Sequence, residues 1–230
     1  MARTHSYRGQ PSGPSLSGGG GIRRGSRQVW RRGACRVPAD IGRAWRNQVS
    51  KQLVLVELLD HLGLGPGDRV LDVRSGPGLV SLLAAERVGP QGGVWALDHS
   101  AEALDFLRQR QAERGLAQIR TVLADMADFQ LPDPAINRFV IADALHRTAG
   151  AEALVNRLGR VLPAGALGAI SDYDPAVPRH LGAQTADRLP EATIRGWLEA
   201  AGFTVVQAWR PPDEHYALLV RAGLPSVGAK

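Results

Sequence analysis

The chain has 230 residues, 44% of them hydrophobic, which is enough for one ordinary domain with a buried core and an appendage. No apolar run approaches the roughly 18 residues of a membrane span, and the first fifty residues carry no basic start followed by an apolar stretch, so a cytoplasmic location is expected. The single cysteine, Cys35, excludes an internal disulfide and a thiolate metal cluster.

The net charge of +6 is unevenly spread. Residues 1–51 hold eleven Lys or Arg against one acid, Asp40, whereas the rest of the chain holds seventeen against twenty-one. Residues 1–36, centred on Ser17-Gly18-Gly19-Gly20-Gly21, are rich in Gly, Ser, Pro and Arg. Such a segment buries too little apolar surface to offset its ordering entropy, so a disordered tail is expected. Three readings of it stay open: a basic arm touching nucleic acid or an acidic partner, a solvated tail, and translated sequence upstream of the true start.

From Asp40 to Leu62 apolar residues recur at spacings of three or four (Ile41, Ala44, Trp45, Val49, Leu53, Val56, Leu59, Leu62), which predicts one amphipathic helix closed by Gly63. Trp45 is either core or the cap of a ligand pocket. The run Val70-Leu71-Asp72-Val73 then reads as a buried parallel strand ending in a carboxylate. Arg74-Ser75-Gly76-Pro77-Gly78 turns the chain into a helix starting at Leu79. Strand, glycine turn and helix together let backbone approach a ligand and aim free N–H groups at an anion.

A second strand, Val94–Leu97, ends in Asp98, 22 residues after Gly76, about the spacing at which an acid meets ribose hydroxyls. Ser100 and Gly115 read as the caps of the next helix. A third strand, 119–124, ends in Asp125 with Met126 beside it, and Leu131-Pro132-Asp133 is a turn. A fourth strand, 139–142, leads to Asp143 and His146; helix 151–162 follows. The fifth strand, 167–170, carries Ser171-Asp172-Tyr173-Asp174 at its tip. Pro190 opens a last helix, and 203–209 with 216–221 form a hairpin. Three consecutive strands ending in acids at the carboxyl edge of an open α/β sheet point to a ligand site there. His146 is a candidate base or a surface histidine, and His180 falls in a loop over the pocket. His5, His61, His99 and His215 show no metal-ligand spacing.

Residues from about 66 to 222 resemble a class I S-adenosylmethionine-dependent methyltransferase domain of the type 11 or 25 kind. The carrying segments are VLDVRSGPG (70–78), VWALDHS (94–100), LADMADFQLPD (123–133), ADALHR (142–147), RVLPAG (160–165) and LEAAGF (198–203). The resemblance implies a doubly wound, Rossmann-like sheet of seven strands in the order 3-2-1-4-5-7-6, mostly parallel with the last strand antiparallel. The expected division is a tail over 1–36, a helical segment over 37–64, the methyltransferase domain over 65–223 and a short tail over 224–230.

The implied cofactor is S-adenosylmethionine, and the implied partner is a small-molecule acceptor; nucleic acid is expected only through the basic tail, and no membrane. By resemblance Gly76 and Gly78, with Arg74 and Ser75 in the same turn, meet the methionine part of the cofactor, and Asp72 holds its amino end. Asp98 accepts from the ribose, with His99 adjacent, while Asp125 and Met126 meet the adenine. Asp143 serves the cofactor or the acceptor; His146 and Tyr173, with Asp172, fall on the acceptor side. No metal is implied. Arsenite methylation is disfavoured, because it would need several thiols. Three positions depart from the family pattern: Arg74 stands where a glycine is usual, Asn137-Arg138 replaces Phe-Asp, and Pro-Ala-Gly replaces Pro-Gly-Gly. A non-catalytic relative and a nicotinamide-dependent oxidoreductase are the competing readings.

Overall fold

The computed structural model describes residues 38–223 apart from 127, 132, 180–182 and 212. The basic tail, Cys35, His180 and residues 224–230 lie outside the described residues. Seven strands, β1 (Arg69–Val73), β2 (Gly93–Asp98), β3 (Ile119–Leu123), β4 (Arg138–Ala142), β5 (Leu167–Tyr173), β6 (Phe203–Trp209) and β7 (His215–Ala222), form one sheet in the order 3-2-1-4-5-7-6. Strands β1 to β5 are parallel, and β7 runs antiparallel between β5 and β6. The order and the inverted last strand agree with the expectation.

Alternation along each strand sends successive side chains to opposite faces, so the sheet is covered on both sides. Val70, Val94, Val140 and Ala169 pack with α2 (Gln52–Leu62), α3 (Leu79–Val88) and α4 (Ala101–Arg114). Leu71, Trp95, Phe139 and Ile170 pack on the other face with α5 (Ala151–Val161) and α6 (Glu191–Ala200). The caps of α4 are those read from the sequence: Ser100 Oγ accepts from the Ala103 N–H, and Gly115 takes the left-handed conformation.

The single helix expected over 40–62 is in fact two, α1 (Ala39–Ser50) and α2, broken at Lys51 (φ −108°, ψ 16°). The break shifts the apolar register. Val49 and Leu53, expected inward, are exposed, with Leu53 81% exposed. Leu55 and Leu58 are buried instead, alongside Leu59 and Leu62 as expected, each contributing about 1.5–3 kcal/mol of burial. The structure also extends β5 through Ser171, Asp172 and Tyr173, which the sequence reading left beyond the strand, because they pair with Ala217, Tyr216 and His215 of β7.

Two of the three departures lie away from the carboxyl edge. The Asn137 side chain accepts from the Arg69 N–H (2.9 Å) and donates to Asp68 (2.8 Å), and Arg138 lies 3.5 Å from Asp68. These contacts join the starts of β1 and β4 at the opposite end of the sheet. The Pro163-Ala164-Gly165 turn precedes β5 at that same end, where Gly165 N donates to Ala222 O (2.8 Å).

Candidate functional site

The carboxyl ends of β1, β2, β4 and β5 and the start of β7 share one edge, and the candidate site is built there. The turn after β1 places three residues in the left-handed region: Arg74 (φ 61°), Gly76 (φ 56°) and Gly78 (φ 89°). Gly78 has a second reason to lack a side chain, since a Cβ there would come within 2.4 Å of Leu107. Arg74 has no such freedom; a left-handed L-residue costs roughly 1–2 kcal/mol. The turn is held by Ser75 N donating to Leu97 O (3.0 Å) and Gly76 N donating to Asp98 (2.8 Å).

Asp72 shares the sheet face of Val70 and so meets α3, where Ser81 Oγ donates to it at 2.6 Å. Burial pushes its pKa up to about 7, with the Ser81 hydrogen bond opposing and Asp98 reinforcing that rise. It lines neither of the cavities described below, so it braces the turn from beneath.

Asp98 is buried at the tip of β2. Besides Gly76 N, it accepts from Ser100 N (2.9 Å), and His99 Nδ1 lies 3.0 Å away. The Arg74 guanidinium reaches back over this carboxylate, 4.0 Å from Asp98 and against His99, and not toward Asp72. Burial lowers the Arg74 pKa, Asp98 opposes this, and the nearby charge of Arg147 adds to it. Outside Asp98 a chamber of about 280 Å³ is lined by Arg74, His99, Asp125, Met126, Arg147 and Thr148. Four residues singled out from three separate sequence segments, Arg74, His99, Asp125 and Met126, thus line one cavity.

A second chamber, of about 410 Å³, opens beside the ends of β4 and β5; Arg147 lines both. Its walls include Gln48, Lys51, Asp143, His146 and Tyr173. Alternation along β5 separates two neighbours here: Asp172 shares the face of Ile170, whereas Tyr173 shares that of Ala169. Asp172 is fully buried and accepts from His146 N (3.0 Å), Tyr173 N (2.8 Å) and, at 2.6 Å, His146 Nδ1. A ring whose Nδ1–H is given to a carboxylate keeps Nε2 as its free basic nitrogen.

Tyr173 sits opposite His215 across β5 and β7, their rings 4.2 Å apart. Lys51 Nζ lies 4.5 Å over the Tyr173 ring and 2.6 Å from Asp143. Asp143 adopts a positive φ (53°), and its other oxygen is 2.9 Å from His215 Nε2. His215 Nδ1 in turn lies 2.7 Å from Asp213. Burial opposes charge on every member, yet mutual pairing prevails. Asp143 is held below the carboxylate range by His215 and Lys51. Burial lowers the pKa of His215, but Asp143 and Asp213 outweigh it and push the value up to about 9. Burial likewise works against Lys51, and Asp143 raises it nonetheless. Burial and Asp143 raise the Tyr173 pKa, so its hydroxyl stays protonated. That hydroxyl is buried beside Lys51, which opposes the rise, and donates to no acceptor among the described residues.

Sequence reasoning missed Gln48, Lys51, Arg147 and His215. Gln48 bridges the glycine turn, donating to Ser75 O (3.1 Å) and accepting from Leu79 N (3.0 Å) at the start of α3. Lys51 gave no signal in the sequence, since the apolar period runs past it on another face. His215 was legible only as the residue opposite Tyr173, which requires the β5–β7 register. Among the described residues, no group of three or more His, Cys, Asp or Glu is placed to hold a metal ion, and no helix is long and apolar enough to cross a membrane.

Residues 70–165 match the family model of a methyltransferase domain. With the sheet order above, this match agrees with the resemblance to class I S-adenosylmethionine-dependent methyltransferases. The chain is similar to an arsenite methyltransferase of Halobacterium salinarum, at 27% identity over 165 residues, which cover 66% of this chain and 41% of that protein. It is also similar to the ubiquinone/menaquinone biosynthesis C-methyltransferase UbiE of Xanthomonas campestris, at 32% identity over 47% of this chain and 43% of the relative. The chain thus spans less than half the length of these curated relatives. Among solved structures, a SAM-dependent methyltransferase from Aquifex aeolicus superposes with a TM-score of 0.73 at 22% identity, covering 80% of this chain and 98% of that one. That likeness is one of fold.

Proposed function

We propose that the domain binds S-adenosylmethionine across the Asp98–Asp125 side of the cleft and transfers its methyl group to a small-molecule acceptor in the chamber beside Tyr173. The observation that carries this reading is the pair of chambers sharing Arg147, one lined by Asp125 and Met126 and the other by His146 and Tyr173. The residues fit the cofactor. A carboxylate at the tip of β2 suits two ribose hydroxyls, Met126 offers an apolar wall to a purine, and the glycine turn leaves room for backbone contact. When bound, the cofactor supplies a carbon already activated by its sulfonium.

The protein's part is therefore approach, orientation and proton removal. His146, oriented by Asp172, takes a proton from an O–H or N–H acceptor through Nε2. Tyr173, neutral and with no acceptor of its own among the described residues, donates a hydrogen bond to the acceptor. Arg74 must swing off Asp98 before a ribose can reach that carboxylate. A nicotinamide-dependent oxidoreductase is less well supported, because the antiparallel β7 departs from the all-parallel 3-2-1-4-5-6 dinucleotide sheet.

The test is turnover of S-adenosylmethionine with a panel of small phenols, amines and carboxylic acids, read as S-adenosylhomocysteine formed. Turnover should occur with at least one acceptor and fall about 10²–10⁴-fold in His146→Gln, with cofactor affinity retained. Failure of every acceptor, in a protein that still binds the cofactor, would return the domain to the non-catalytic class.

A further inference from the structure

The acceptor chamber is unusually rich in donors. Lys51 and His215 are committed to Asp143, the only carboxylate among the described residues lining this chamber. Arg147 and Arg179 line the same chamber, and neither forms an ion pair or a side-chain hydrogen bond among the described residues. The Tyr173 hydroxyl adds a buried, protonated donor with no acceptor of its own. Among the described residues, apolar lining is limited to small or short groups, chiefly Ala44, Leu55, Pro77, Ala142 and Ala183. Such walls do not suit a long hydrocarbon chain, which would need a continuous apolar surface. They also repel a cationic amine.

Position supports the same conclusion. Arg147 follows His146 directly, so an anion held by it lies next to the proposed base; its charge acts on both Arg74 and Tyr173. Arg179 is carried by the segment after β5, which the buried Arg188 anchors by donating to the carbonyls of Asp174 (2.9 Å) and Val177 (3.0 Å) and pairing with Glu214. Two guanidinium groups and a phenol facing one cavity form a receptor for a planar or tetrahedral oxyanion.

We propose that the acceptor is a small organic anion, a carboxylate or phosphate monoester, whose charged oxygens are held by Arg147 and Arg179 while its nucleophile faces His146. This rests on the methyltransferase reading, but its test does not require turnover. The full-length chain is titrated calorimetrically with salicylate, its neutral amide salicylamide, and phenyl phosphate, with and without saturating S-adenosylhomocysteine. At least one of the two anions should bind about tenfold or more tightly than the amide, and the preference should weaken with salt. Whichever anion binds better identifies the charged group.

Arg179→Gln, and separately Arg147→Gln, should erase that preference. Arg179→Gln should leave the affinity for S-adenosylhomocysteine within about twofold. Equal or tighter binding of the amide, or no binding of either anion, overturns the proposal. A loss of S-adenosylhomocysteine affinity in Arg179→Gln as large as the loss of anion affinity also overturns it, since the arginine would then serve the cofactor. Failure of the wild-type chain to bind S-adenosylhomocysteine at all defeats the methyltransferase reading instead, and the anion titration without it still stands as its own measurement.

Discussion

The chamber beside Asp125 is lined by residues 74–149, contributed by successive βα units in chain order, whereas the site beside Tyr173 joins residues as distant as Gln48 and His215. Beside the first lies a turn shaped largely by backbone: left-handed residues from Arg74 to Gly78 and N–H groups donated to Asp98. The second is an arrangement of side chains whose charges compensate one another, Lys51, Asp143, His215 and Asp213. A backbone-built pocket tolerates change at many side chains and fails where φ cannot be met. A charge-built one fails whenever a single partner is removed, because the remaining charges stay buried and uncompensated.

The largest expected effect follows from that contrast. Asp143→Asn keeps a residue type that accepts positive φ, yet leaves Lys51 and His215 without their shared carboxylate. Urea unfolding should show a loss of about 3–5 kcal/mol. A loss under about 1 kcal/mol, the scale of exposed pairs, would mean the network is solvated and the contrast between the chambers is false.

Next in size is a pH dependence from His215. Its folded pKa of about 9 lies above the unfolded value of about 6.5. Its contribution is therefore complete below about pH 6.5, falls as pH rises, and is gone above about pH 9, with a span on the order of 3 kcal/mol. Unfolding midpoints of wild type and His215→Gln should converge between pH 6.5 and 9. Parallel curves would show that the imidazole is neutral in the folded protein.

How much of this was legible from sequence divides along the same line. The glycine turn and the acids Asp98 and Asp125 at the strand tips could be placed from local runs and spacing, whereas the strand order followed from the family resemblance. Arg74 was marked by its departure from the family's usual glycine, and the structure gives the reason that position favours glycine, a positive φ. The helix break at Lys51 was not, because periodicity alone ran through it. Its cause is tertiary: the lysine leaves the helical path in a structure where Asp143, 92 positions away, holds its ammonium. Tyr173 and His146 were named, but the partners that give them a role, His215 and Asp172 in its bonded geometry, needed the β5–β7 register and the fold of residues 145–147.

The smallest effect sharpens the backbone side of the comparison. Arg74→Gly relieves a left-handed residue, a gain of about 1–2 kcal/mol, against the greater unfolded-state entropy of glycine, a loss of about 0.5–1 kcal/mol. The net should be a rise in stability of roughly 0.5 kcal/mol, read as a higher melting temperature. Because the guanidinium now lies over Asp98, the variant should also bind S-adenosylhomocysteine severalfold more tightly. Weaker binding would instead make Arg74 a contact of the cofactor.

The central claim is that Asp98 and the glycine turn hold S-adenosylmethionine, and titration calorimetry of the full chain tests it most directly. S-adenosylhomocysteine should bind saturably and NAD should not. Asp98→Ala should lower the affinity by about 1–3 kcal/mol, the scale for stranding buried hydroxyl donors. Binding of NAD in preference, or S-adenosylhomocysteine affinity unchanged by Asp98→Ala in a folded variant, would contradict the account.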